Sequence, residues 1–175
     1  ASISFAENNT AAVTTVTSTD GDGASTATYT ISGTDAADFS INSSSGVLTF
    51  ASTPNYEIPA DADENNTYIV IVTVTDNGSL TDSQTLTITV TDVNDAPVIT
   101  SNSGGSIASI SFAENSTSTV TTVASTDEDG DPRTYSISGT DAADFSINSS
   151  SGVLTFASTP NYEIPADADE NNTYI

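Results

Sequence analysis

Asp92, Asn94 and Asp95 stand within four positions of one another, after a strongly alternating apolar run and just before Pro97. Three oxygen-bearing side chains this close suit a hard divalent cation, and Pro97 stiffens the exit by fixing φ and removing a backbone donor. Further acidic and amide groups gather elsewhere: Glu7 beside Asn8, Asp20 with Asp22, Asn55 with Glu57, and Asp76. Ca²⁺ takes about six to eight oxygens from carboxylates, amide side chains and backbone carbonyls in flexible geometry. A donor set of Asp, Asn and Glu without His or Cys fits that ion and argues against Zn²⁺ and Cu²⁺. Mg²⁺ dehydrates reluctantly and is seldom held in an all-protein cage.

Each group also has a plainer reading. Asp beside Gly is a common turn former, so Asp20-Gly21-Asp22-Gly23 reads equally as turn or ligand set. Glu7 taken alone reads as a solvated surface carboxylate. An EF-hand is excluded: counted from Asp127, the twelfth loop position is Ser138, not the bidentate Glu. Catalysis finds no support. A nucleophilic triad needs His, Cys or an activating Lys, and glycan hydrolysis or binding would want a Trp platform, which the chain lacks.

Among 175 residues, 24 are acidic and one is basic, for a net charge of -23. That excess repels nucleic acid and anionic membranes, and it drives the chain apart from itself unless cations neutralise part of it. The chain is nonetheless no disordered tail, because its 35% hydrophobic residues fall in periodic runs. With no Cys, disulfides cannot hold the fold. The longest apolar segment, Tyr68 to Val74, is too short to span a bilayer, and no signal peptide or lipidation motif is visible. The abrupt start at Ala1 and the stop in mid-strand at Ile175 suggest a piece of something longer.

The elements that must position these groups are repeated. Phe5-Ala6-Glu7-Asn8 returns as Phe112-Ala113-Glu114-Asn115, and Ile31 to Ile69 returns unchanged as Ile137 to Ile175, 106 positions on. So long a period means beads on a string, since solenoid repeats are far shorter. The expected beads are residues 1–97 and 98–175.

Within a bead the period is two. Leu86, Ile88 and Val90 alternate with threonines, and Tyr68, Val70, Val72 and Val74 share one face of the strand before. Shorter strands are expected at 13–17, 28–32, 39–41 and 47–50, separated by Gly21-Asp22-Gly23, Ser44-Ser45-Gly46 and Asp76-Asn77-Gly78. No window shows a sustained helical period. The pattern predicts an all-β fold of tandem seven-stranded Greek-key sandwiches. The first repeat would lack its first strand, for which the second has Val98-Ile99-Thr100. The second would lack counterparts of 70–92, its last two strands. Either the chain is cut from a longer polypeptide, or a neighbouring chain supplies the missing strands by β-augmentation.

The order Phe-x-Glu-Asn, Asp-x-Asp-Gly, Tyr-x-Ile, Phe-x-Ile with Ser-Gly-x-Leu, Asn-Tyr-Glu, Tyr-x-Val-x-Val-x-Val-x-Asp and Asp-Val-Asn-Asp-x-Pro resembles the cadherin repeat. It is similar in particular to the cadherin-like repeats of large bacterial surface proteins, which share this Thr/Ser-rich, Lys-poor character.

The resemblance implies that the base of one repeat, the linker and the top of the next jointly hold about three Ca²⁺. It assigns Glu7, Asn55 and Glu57 to the base of the first repeat. Asp92, Asn94 and Asp95 fall to the linker, with the carbonyls of Val93 and Ala96, and Asp127 and Asp129 to the top of the second repeat. Asp20, Asp22 and Asp76 would serve a junction above, and Glu114 with Glu163 one below.

It further implies a secreted protein on the cell surface, where calcium stiffens the rod of an adhesin. The partners would be neighbouring repeats of the same polypeptide, identical chains in a filament, or cell-surface glycans or proteins. The alternative is a polymerising extracellular filament subunit joined by strand complementation.

Departures from the family pattern matter too. Pro54-Asn55-Tyr56-Glu57 stands for Leu-Asp-x-Glu, exchanging an anionic ligand for a neutral one, and Ala96 stands for an Asn. The insertion from Ile58 to Asn66 adds Asp61, Asp63 and Glu64, which offer a further ion site. The second repeat has no counterpart of Asp76, so fewer than three ions are expected at the central junction.

Overall fold

The computed structural model describes residues 1–21 and 26–175, so the expected ligand Asp22 lies outside the described residues. The chain divides into two compact units, Ala1–Asn94 and Asp95–Ile175.

In the first unit the strands are β1 (Ser2–Ala6), β2 (Thr14–Thr15), β3 (Thr28–Ser32), β4 (Phe39–Ile41), β5 (Val47–Phe50), β6 (Thr67–Thr75) and β7 (Thr81–Thr91). They form a four-stranded sheet in the order β1-β7-β6-β3 and a three-stranded sheet in the order β2-β5-β4. The two sheets enclose one core, an all-β sandwich.

The long hairpin β6–β7 is antiparallel, with Tyr68 opposite Ile88 and Val70 opposite Leu86. Because side chains alternate across a strand, this register puts Tyr68, Val70, Val72, Leu86, Ile88 and Val90 on one face, and all six are buried. Between them stand Thr87 and Thr89 in β7 and Ile69 and Ile71 in β6, β-branched residues that suit the pleated outer face. β1 runs parallel to β7 from Ser2 opposite Thr87 to Ala6 opposite Thr91.

Phe5, Tyr29, Phe39 and Leu48 complete the core. Phe39 and Phe50 pack with ring centroids 4.5 Å apart, and Tyr68 meets Phe50 edge-on at 5.1 Å. At the tip of the β4–β5 hairpin Gly46 has φ of 69°, and a Cβ there would collide with the Val16 carbonyl oxygen. Only glycine fits.

The second unit holds β8 (Val98–Ile99), β9 (Thr121–Thr122), β10 (Ser125–Thr126), β11 (Phe145–Ile147) and β12 (Val153–Phe156). β8 pairs with β10, and β12 lies between β11 and β9. Identical sequence reproduces the ring packing of the first unit: Phe145 and Phe156 are 4.5 Å apart, and Tyr174 meets Phe156 at 5.1 Å. Residues 108–112 repeat the sequence 1–5 of β1 yet join no ladder, and Ile110 is 43% exposed. Among the described residues the helices are three short 3-10 turns, and no helix is long and apolar enough to cross a membrane.

Candidate metal centre

Glu7 follows β1 directly, and the β1–β7 pairing places it beside the chain leaving β7: its own N–H donates to the Thr91 carbonyl at 3.0 Å. It is not a solvated surface carboxylate. Its side chain is 2% exposed. Oε2 accepts the Tyr56 N–H at 2.7 Å and Oε1 accepts the Val93 N–H at 2.8 Å. One carboxylate thereby ties the 54–57 loop to the segment that follows β7. Asn8 turns the chain away in the left-handed region (φ 58°), which Asn tolerates, and donates its N–H to the Pro54 carbonyl at 3.0 Å.

Glu57 stands on that loop. One of its carboxylate oxygens lies within 4.8 Å of one on Glu7, and one lies within the same distance of an Asp92 oxygen. Its Oε2 is closed off from solvent. Three carboxylates so arranged repel one another, and the first unit contains no Lys or Arg to offset them. Every side-chain donor is oxygen. The set therefore fits a hard cation and offers a soft metal nothing.

Asn55 is on the same loop, but its Oδ1 accepts the Ile58 N–H at 2.6 Å and closes a local turn. Asn94 is exposed. At the far end of β6 and β7, Asp76 closes the connecting turn, with Oδ1 accepting the Leu80 N–H at 2.7 Å. Asp20 is exposed.

In the second unit the Asp95 N–H donates to Asp129 Oδ2 at 2.6 Å, which brings those two residues together. Asp127 Oδ1 accepts the Asp131 N–H at 3.0 Å, holding the 127–131 turn. Glu114 repeats one of the Glu7 contacts, since its Oε2 accepts the Tyr162 N–H at 3.0 Å. It is exposed where Glu7 is buried. Glu163 is also exposed, and its N–H goes to Asn161 Oδ1 at 2.9 Å.

Sequence reasoning passed over Asp35 and its copy Asp141. Asp35 is buried, and it accepts the Ala62 N–H at 3.0 Å and the Ile69 N–H at 2.7 Å. It fastens the 58–66 insertion to the start of β6. Asp141 does the same for Ala168 and Ile175 at 2.8 and 2.7 Å. The partners lie far along the chain, and no local pattern marks them.

Within the insertion Asp61 is buried and accepts the N–H groups of Asn65 at 2.8 Å and Asn66 at 3.1 Å. Burial works to raise its pKa, but the Asn65 N–H, the hydrogen bond to Asp63 and the Asn66 N–H outweigh it and hold it below the ordinary value. Asp63 goes the other way. The hydrogen bond to Asp61, with a smaller contribution from burial and the Asp61 charge, holds its carboxyl above the ordinary carboxylate value. Asp167 and Asp169 repeat this arrangement.

A group whose folded pKa is raised stabilises fully below its unfolded value and ceases to do so as pH climbs through the folded one. Asp63→Asn carries a donor at every pH. In calcium-free buffer, variant and parent are expected to melt together near pH 3.8 and below, with the variant melting higher toward neutrality. A gap of constant size across the titration would contradict the raised Asp63 pKa.

No curated protein sequence matches the chain. A family model described as the cadherin domain matches residues 1–91. Among solved structures, human protocadherin-24 EC1-2 (form II) is 24% identical with a TM-score of 0.57, covering 94% of this chain and 76% of that one. Drosophila N-cadherin EC1-4 is 24% identical with a TM-score of 0.51, covering 98% of this chain and 40% of that one. At such identities the likeness is one of fold. This chain spans about three quarters of the first structure and two fifths of the second. The matched residues take in the seven strands described for the first sandwich together with Glu7 and Glu57, and the chain belongs to the cadherin family, whose domains are extracellular adhesion modules.

Proposed function

We propose that this chain is a calcium-rigidified extracellular repeat, part of the structural and adhesive rod of a cell-surface adhesin. The observation that carries the proposal is the gathering of Glu7, Glu57 and Asp92, each carboxylate within 4.8 Å of the next, in a unit without a single basic side chain. The Lys-poor, Thr/Ser-rich composition favours a large bacterial surface protein as the source.

The residues that would hold the central ions are Glu7, Asn55 and Glu57 of the first repeat and Asp92, Asn94 and Asp95 of the linker. Asp127 and Asp129 of the second repeat join them, and the carbonyls of Val93 and Ala96 add backbone oxygens. Asp20, Asp22 and Asp76 would serve one neighbouring junction, and Glu114 with Glu163 the other. The repeats are residues 1–97 and 98–175.

Bound Ca²⁺ supplies positive charge and coordination that carboxylates alone lack. Glu7 does the preparatory work by holding the 54–57 loop against the segment after β7, which fixes Glu57 and Asp92 before any ion arrives. Without the cation these groups repel, and the linker swivels about Pro97.

Extracellular modules bind Ca²⁺ with dissociation constants of about 10⁻⁴–10⁻³ M, matched to the outside of a cell and not to cytosol. Calorimetric titration should show saturable calcium binding in that range, which Glu57→Gln weakens about tenfold or more through the lost charge. Absence of binding at millimolar calcium, or an unaltered Glu57→Gln isotherm, would overturn the proposal.

A second reading is an extracellular filament subunit joined by strand complementation. The unladdered 108–112 segment, identical in sequence to 1–5, favours it. Sedimentation separates the two: the filament grows in mass with concentration, and the tandem rod does not.

A further inference from the structure

Asn77 and Gly78 stand at the tip of the β6–β7 connection, and both are exposed. Asn followed by Gly occurs at this one place in the chain. Several other asparagines are held by their own loops. Asn42 Oδ1 accepts the N–H groups of Ser44 and Ser45 at 3.0 Å, and Asn148 does the same for Ser150 and Ser151. Asn65 Oδ1 accepts the Thr67 N–H at 2.8 Å.

Asn77 is different. Among the described residues neither its side-chain amide nor the Gly78 N–H makes a hydrogen bond. The turn is closed around them, by Asp76 N–H to the Leu80 carbonyl at 3.0 Å, Ser79 N–H to the Asp76 carbonyl at 3.3 Å and Leu80 N–H to Asp76 Oδ1. The amide and the neighbouring nitrogen are thus both open to water on a held scaffold. With no side chain on Gly78, little hinders the approach of one to the other.

We propose that Asn77 is a self-modification site, converting to aspartate and isoaspartate through a cyclic imide with Gly78. The Gly78 backbone nitrogen gives up its proton to solvent base and attacks Asn77 Cγ, forming a C–N bond. The Cγ–NH₂ bond then breaks, and the amide nitrogen leaves as ammonia with a proton from water. Water next opens the five-membered imide. Attack at Cγ gives aspartate. Attack at the Asn77 backbone carbonyl gives isoaspartate, with the main chain now running through the side-chain carbons. No oxidant, reductant or metal is consumed.

Each conversion adds one negative charge to a chain already at -23. The isoaspartate product also lengthens the turn that Asp76 closes, at the end of the longest antiparallel pairing in the fold. The site is therefore a clock built into the hairpin, and it operates whether or not calcium binds.

The test is to hold the full chain in warm, mildly alkaline, calcium-free buffer and follow it by peptide mass spectrometry with isoaspartate-specific enzymatic methylation. Asn77 is expected to convert before Asn42 and Asn148, yielding both products. Gly78→Ala should slow it at least about threefold, because a Cβ restricts the backbone that must reach the nitrogen to Cγ. Gly78 lies outside the positive-φ set, and an added Cβ would meet Asp76 Oδ1 at 3.3 Å, a side-chain tip that needs to shift only slightly, so the Ala variant should melt within a few degrees of the parent. Asn77→Gln, with a longer side chain, should stop the reaction. Conversion of Asn42 or Asn148 ahead of Asn77, or a Gly78→Ala chain converting at the parent rate, would overturn the assignment.

Discussion

Glu7→Ala is expected to destabilise the first unit by about 3 kcal/mol, with or without calcium. The side chain is 2% exposed and accepts two backbone N–H groups, at 2.7 and 2.8 Å, from segments that are otherwise separate. Hydrogen bonds to a charged group contribute about 1.5–3 kcal/mol each, and their loss here strands both donors. For a unit of this size that corresponds to a melting point lower by about 12 °C or more.

Glu7→Gln separates the two roles of the residue. It keeps the shape and one acceptor oxygen, so it should recover about half the stability. It lacks the charge, so calcium affinity should stay low. Unchanged melting of the Ala variant, read by calorimetry, would show that Glu7 does not tie the loop to the strand exit.

Removing calcium is the second large perturbation. A ligand that binds only the folded state stabilises it in proportion to the logarithm of its concentration over the dissociation constant. For the affinities expected of an extracellular module, about 10 mM calcium should add about 1.4–2.7 kcal/mol per site. Melting scans with calcium and with chelator should therefore differ by at least about 6 °C. Mg²⁺ should restore little of that difference, because it gives up its water reluctantly. Coincident scans would contradict calcium linkage.

What could be read from the chain beforehand depended on how local the signal was. β3, β4 and β5 fall at 28–32, 39–41 and 47–50, where alternation and the Ser-Ser-Gly turn put them. β2 contracts from the expected 13–17 to Thr14–Thr15, because the Val13 and Val16 N–H groups bond to Leu48 and to Gly46 outside the ladder. β7 extends back to Thr81 through Asp82, Ser83 and Gln84, polar residues that show no period of their own and follow the partner strand.

The parallel pairing of β1 with β7 joins the two ends of the first sandwich and leaves no local trace. The site behaves likewise. Acidic residue types and the 92–95 cluster pointed to a hard cation, but the burial of Glu7 did not show, since its partners are main-chain N–H groups at Tyr56 and Val93. Asp35 stayed hidden for the same reason. A side chain that caps distant backbone carries no spacing rule, whereas a turn or an alternating strand does.

The most direct test of calcium rigidification is small-angle scattering of the full chain, in millimolar calcium and again after chelation. With calcium the pair-distance distribution should be that of a stiff particle with a well-defined maximum dimension, and chelation should shorten its mean dimension and broaden the distribution. Superimposable curves under the two conditions would contradict the claim that calcium stiffens the joint between the repeats.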